Sequence, residues 1–154
     1  MPETRRQHGL TLLEILMVLA ILSILSATGI GIFYGSVQSQ KLDSTADMII
    51  SDLRLARTKA MLGEDGKNWG IHFINDSDDY YQLFSSPTGY EDASVSIDAT
   101  VYLSGGISFS APLASSSAVF NKITGVLSAT ESVTIVSPYN ESKTITSTPF
   151  GHIY

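Results

Sequence analysis

A lone carboxylate, Glu14, stands at the head of a run with no charged residue from Ile15 to Gln40. An acid at the edge of an apolar helix is unfavourable by up to a few kcal/mol unless paired, so its chemistry is that of an anion seeking a cation in low dielectric. Arg5 and Arg6 lie just before it, across the stretch Gly9–Leu10–Thr11–Leu12–Leu13. The other chemistry-bearing residues are scattered. Asp76, Asp78 and Asp79 fall in the Asn75–Asp79 turn and offer the clustered oxygens that Ca²⁺ takes. No Gly or distal Glu completes a cation loop there, and Asp and Asn favour turns through their own backbone hydrogen bonds. A plain turn without metal is therefore the expectation. His8, His72 and His152 stand apart, with no Ser nucleophile or metal-ligand spacing to pair them. The chain has no cysteine, which removes disulfides, thiolate metal sites and a Cys nucleophile. No catalytic constellation and no cofactor site emerges, so the chain is expected not to be an enzyme.

The elements that must position Glu14 follow from hydrophobic periodicity. The apolar run from Ile15 to Phe33 holds the roughly 20 residues that cross a hydrocarbon core as helix. Arg5 and Arg6 precede it, which predicts a single pass with the N-terminus in the cytoplasm and the remainder outside. Beyond Gln40, Leu42, Ala46, Ile49, Ile50, Leu53, Ala56, Ala60 and Met61 keep the i, i+3, i+4 spacing of one helical face. Gly63, just past the last periodic residue, is the predicted stop. Gly29, Gly31 and Gly35 predict either a bend or local melting, or a close helix–helix contact at GxxxG spacing.

After Gly63 the pattern changes to short alternating runs separated by polar turns, which predicts antiparallel strands. Trp69, Ile71 and Phe73 form one such face, and Tyr81 and Leu83 repeat it. In Val95–Leu103 the residues Val95, Ile97, Ala99, Val101 and Leu103 are predicted to share a face. Weaker strands are expected at Ile107–Phe109, Ala118–Phe120, Val133–Val136 and Lys143–Thr146, with a final edge strand in Pro149–Tyr154. Ser115 to Ser117 reads as a polar loop. The fold class is α+β, with a long N-terminal helix, hydrophobic then amphipathic, packed on a small antiparallel β-sheet or β-sandwich. Boundaries are expected at residues 1–9, 10–35 for the apolar half of the helix, 36–63 for its amphipathic half, and 64–154 for the β domain.

At 154 residues and a formal charge of −6, the chain can hold one modest core besides its helix. The first nine residues carry Glu3, Arg5 and Arg6, net +1, which leaves −7 for the rest. Phosphate binding needs clustered Lys and Arg, yet after Lys67 the cations are Lys122 and Lys143 alone, so no nucleic acid is expected.

Gly9 to Glu14 with the uncharged span behind it resembles the class III signal of type IV pilins and type II secretion pseudopilins. Leu10 departs from the commoner Phe but keeps bulk and apolarity. The resemblance implies that Met1 to Gly9 is a leader, that a prepilin peptidase cuts between Gly9 and Leu10, and that the Leu10 amine is methylated. It implies further that Glu14 neutralises the N-terminal amine of a neighbouring subunit during assembly. The run Asp52–Leu53–Arg54–Leu55–Ala56–Arg57–Thr58–Lys59–Ala60 resembles the helix ending of the GspH/FimT family of H-type minor pseudopilins and minor pilins. Phe120–Gly125, Thr134–Val136 and Ile145–Gly151–Ile153 are similar to that family's C-terminal strands. On this resemblance Arg57 braces the helix against the sheet. The implied setting is a single-pass protein of the bacterial inner membrane that joins other pilins or pseudopilins in a helical filament. The implied role is that of a structural minor subunit of a type II secretion pseudopilus, or alternatively of a minor type IV pilin acting in assembly, adhesion or DNA uptake.

Overall fold

Helix α1, Leu12–Leu62, opens the described chain and is followed by a 3-10 turn at Glu64–Gly66. The computed structural model describes the backbone of residues 11–154, and their side chains apart from residues 27–34. Contacts divide the chain into two compact units at Ser36/Val37. The backbone stays helical through Gly29, Gly31 and Gly35, so the local melting expected there does not occur. Propagation adds one hydrogen bond per residue fixed, which offsets the roughly 1 kcal/mol each glycine forfeits. The predicted stop is confirmed: Gly63 takes φ +65 and donates to the Ala60 carbonyl at 3.0 Å. Among the described residues no helix is long and apolar enough to cross a membrane. The run expected to do so, Ile15 to Phe33, extends into residues 27–34, whose side chains lie outside the described set.

In residues 37–154 the amphipathic face of α1 is buried as its spacing requires. Leu42, Ala46, Ile49, Leu53, Ala56 and Ala60 all lie in the core. Three alanines, Ala46, Ala56 and Ala60, share this face with Leu42, Ile49 and Leu53, each of which contributes about 1.5–3 kcal/mol of burial. Met61, expected on the same face, is instead exposed.

Among the described residues seven strands form two antiparallel sheets, which confirms the α+β class. The first sheet has the order β3-β2-β1-β5, from β1 (Asn68–Ile74), β2 (Tyr80–Ser86), β3 (Ser96–Tyr102) and β5 (Ser115–Phe120). The second is β4-β6-β7, from β4 (Ser108–Ala111), β6 (Glu131–Val136) and β7 (Ser142–Ser147). Trp69, Ile71 and Phe73 of β1 pair with Ser85, Leu83 and Tyr81 of β2, and all six turn inward. Trp69 Nε1 donates to the Glu64 carbonyl at 3.1 Å, so the ring fills core with its one polar atom satisfied.

Three expectations are corrected. Ser115 to Ser117 is strand, because it completes the open edge of β1 opposite Ile74, Phe73 and His72. Pairing supplied from a distant strand overrides a polar local sequence. In β3 the expected single face breaks at a bulge between Leu83 and Phe84: Ala99 pairs with Leu83, but Ile97 pairs with the outward Phe84. The extra residue, Asp98, reaches Lys59 Nζ on the helix at 3.1 Å. Pro149–Tyr154 is not a full strand but a single bridge from Ile153 to Ser147. Pro149 has no N–H to donate, and Gly151, at φ +80, turns the chain.

Candidate functional site

Glu14 sits in the first turn of α1, solvent-exposed in the isolated chain. The helix starts here because Thr11 caps it: its hydroxyl oxygen accepts the Glu14 N–H at 3.3 Å, and its carbonyl accepts from Ile15 N at 3.2 Å. Thr11-x-x-Glu14 is the spacing of a capping box, a signal that could have marked Thr11 as the residue fixing where the acid emerges. The carboxylate also favours the positive end of the helix dipole. Glu14, Ile15, Val18 and Leu19 line a hollow of about 180 Å³ on the helix face. One acid at the head of an apolar groove is an arrangement that a second helix carrying a cation would complete. Gly9 and Leu10, the predicted cleavage and methylation positions, lie outside the described residues.

Arg57 behaves as expected of a brace. Its guanidinium donates to the carbonyls of Gly125 (3.3 Å), Gly151 (3.0 Å) and Phe150 (3.3 Å), tying the end of α1 to two loops. The fork is planar and each N–H meets a separate carbonyl, a geometry Lys cannot reproduce. A Cβ on Gly151 would overlap the guanidinium, and one on Gly125 would overlap Met61. Sequence reasoning missed a second tie, in which Tyr81 Oη donates to Asp52 Oδ2 at 2.7 Å. Burial first, and this bond second, push the Tyr81 phenol well above its usual range, so it stays a neutral donor.

His72 corrects the expectation of an isolated residue. With Ser115–Ser117 in β5, His72 faces Ser117 directly, and Nδ1 lies 2.6 Å from Ser117 Oγ. Tyr90 stacks on the imidazole with centroids 3.5 Å apart, and its hydroxyl donates to Gln82 Oε1 at 2.6 Å. Burial pushes the His72 pKa down against the opposing pull of Glu91. Among the described residues no carboxylate hydrogen-bonds the other ring nitrogen, so the pair lacks the orienting third group of a nucleophilic triad. It serves as a clamp that holds the 88–92 loop on the outer face of the sheet.

The acidic turn does not gather a cation cage. Asp79 Oδ2 accepts Phe109 N at 2.8 Å and Oδ1 accepts Asp76 N at 3.2 Å, so this carboxylate is engaged by backbone. Among the described residues no cluster of three His, Cys, Asp or Glu could hold a metal.

A helix that presents an apolar face headed by one acid, followed by antiparallel sheets, is an α+β architecture consistent with a pilin-like fold. Residues 4–30 match the family described as the prokaryotic N-terminal methylation motif, which supports a type IV pilin-like protein. No curated protein and no solved structure matches the chain.

Proposed function

We propose that this chain is a structural, non-enzymatic minor subunit of a type II secretion pseudopilus of the GspH/FimT type, with a minor type IV pilin as the second reading. The observation that carries it is the methylation motif at residues 4–30, with Glu14 at the head of an exposed apolar helix face. In this reading a prepilin peptidase cuts after Gly9 and methylates the Leu10 amine, and the apolar helix anchors the subunit with its β domain outside the inner membrane. The new amine of one subunit then meets Glu14 of its neighbour. In low dielectric such a pair attracts strongly, and either charge alone is penalised.

The test is Glu14→Ala beside Glu14→Gln, in native membranes with partner pilins present. Both variants should insert, and N-terminal mass spectrometry should find a mature start at Leu10. Crosslinking to partner subunits should fall at least ~10-fold, because a buried unpaired amine costs several kcal/mol. Crosslinking equal to wild type would sink the charge-pairing mechanism.

A further inference from the structure

Each sheet has two outer strands, and three of these four edges are closed to pairing. In β4 the outward N–H and C=O of Phe109 are taken by Asp79 Oδ2 at 2.8 Å and Asn75 Nδ2 at 3.1 Å. The chain end covers β7, where Thr146 N donates to the Tyr154 carbonyl at 2.8 Å and Tyr154 N returns the bond at 3.2 Å. In β3 the bulge carries Asp98, whose carboxylate turns to Lys59, and a bulged, charged edge resists pairing. The edge of β5 has no such protection. Asn75 N donates to the Ala114 carbonyl at 2.8 Å, which makes Ile74–Ser115 a non-hydrogen-bonded pair of the ladder. By the alternation of an antiparallel ladder, Ser115, Ser117 and Val119 therefore aim their N–H and C=O groups away from β1. Among the described residues the chain covers only the Phe120 end of this edge, through the bridge to Leu127. Ser115 and Ser117 keep outward backbone groups that no other described residue bonds, and the strand Ser115–Phe120 contains no Pro, Gly or charge.

Two hollows flank the same stretch. One, of about 450 Å³, lies between Ser117, Val119 and the 88–92 loop; the other, of about 170 Å³, lies between those two residues and the 127–131 segment. Their rims are acidic. Asp92 is already engaged, accepting from Thr88 Oγ1 and Ser94 N at 2.8 Å, with Lys67 as its nearby cation. Lys122, next to Asn121 at the second hollow, turns its ammonium to the Gly66 carbonyl at 3.3 Å. Glu91 acts on His72 only through space. Among the described residues neither Glu91 nor Glu131 has a hydrogen bond or ion pair of its side chain, and burial pushes the Glu131 carboxyl above its usual range. A half-buried carboxylate without a donor is unfavourable, and a cation from outside would relieve it. We propose that an extended segment of a different polypeptide, carrying Lys or Arg, adds to the β5 edge as a further strand, its main chain on Ser115 and Ser117 and its cations on Glu91 and Glu131. In strand addition of this kind main-chain bonds supply the affinity and alternate side chains select the partner. A second copy of β5 is disfavoured, because it would bring another Glu91 and Glu131 to the contact with no cation to answer them. The site uses no part of α1, so this partner is additional to those met through Glu14.

The test uses the full chain in detergent micelles and a synthetic peptide that alternates Val with Thr and carries Lys at both ends. On adding the peptide, amide exchange at Ser115 and Ser117 should slow at least ~10-fold with exchange in β7 unchanged, because each outward N–H gains an acceptor. The same peptide N-methylated at alternate residues cannot pair and should protect neither amide. Replacing its Lys by Glu should weaken binding, and Glu91→Gln with Glu131→Gln in the protein should weaken the Lys peptide by up to about fivefold. Ser115→Pro removes an outward donor at the first residue of an edge strand, where Pro is tolerated, and should also weaken binding. Should that variant misfold by circular dichroism, the carboxylate pair decides. No protection up to ~1 mM peptide, or equal binding of the N-methylated or the Glu peptide, would overturn the proposal. So would disulfide-linked dimers of Ser115→Cys copies formed without peptide, which would make a second copy the occupant. Glu14→Ala should bind the peptide as wild type does, so failure at the β5 edge leaves the assembly reading untouched.

Discussion

Two stretches of the same helix, Thr11–Ser26 and Leu42–Ala60, have the same backbone and opposite fates. In the first every described residue is exposed, with Leu16 at 59% and Leu25 at 62%; in the second Ile49 and Ala56 are fully buried. Backbone hydrogen bonds satisfy both equally, so the difference lies in what covers the side chains. Leu42–Ala60 alternates a narrow apolar stripe with charge and finds its partner in the chain's own sheets. Thr11–Ser26 is apolar all round apart from Glu14, Thr11 and two serines. Those serines turn inward on the helix, donating to the Leu19 and Leu22 carbonyls at 2.7 and 2.8 Å, which hides their polarity. A helix apolar on every side is one whose cover comes from lipid or other chains.

The comparison breaks most visibly at Leu53. Leu53→Ala leaves a cavity in a core that cannot collapse onto it and should destabilise residues 37–154 by about 2–5 kcal/mol. Leu16→Ala, the matching change in the uncovered stretch, should change the unfolding free energy read from urea titration by less than ~0.5 kcal/mol. Equal losses would mean that the uncovered stretch is stabilised from within the chain after all. Arg57→Ala comes next, with about 1.5–3 kcal/mol expected from three charge-assisted bonds to carbonyls left without a donor. Arg57→Lys should recover little of it, and a full recovery in thermal melts would show that charge alone holds the loops.

The smallest effect is one of pH and sharpens the contrast between clamp and core. Burial lowers the His72 pKa below its ordinary 6.5, so the unfolded chain binds the proton more readily than the folded one. The stability His72 contributes is therefore present above pH 6.5 and is lost as pH falls through the depressed folded value. Denaturant titrations between pH 7 and 5 should show this slope, and His72→Gln should flatten it. An unchanged slope in the variant would assign the effect to other groups.

Periodicity made α1 legible because an amphipathic helix writes its burial into local spacing, and Gly63 closed it through a conformation glycine adopts without strain. Arg57 was legible only by resemblance; its three acceptors come from loops 68 and more residues away. The His72–Ser117 pair was not legible. It exists because three consecutive serines become strand, and their register on β1 is a long-range choice that no local pattern records. The β3 bulge hid for the same reason. An alternating sequence predicts one face, while its partner strand decided where that alternation is interrupted.

By itself, then, the sequence determined the lone acid, the uncharged run behind it, the buried stripe of α1 and the antiparallel character of the remainder, since each is written in spacings of two to four residues. Tertiary structure alone decided the division into sheets of four and three strands, the neighbours of Arg57 and His72, and which apolar side chains stay in water. Ile123 and Leu53 are both apolar and near-equal in size. Only the folded chain, by holding one in a strained exposed turn and the other buried in the core, gives them opposite roles.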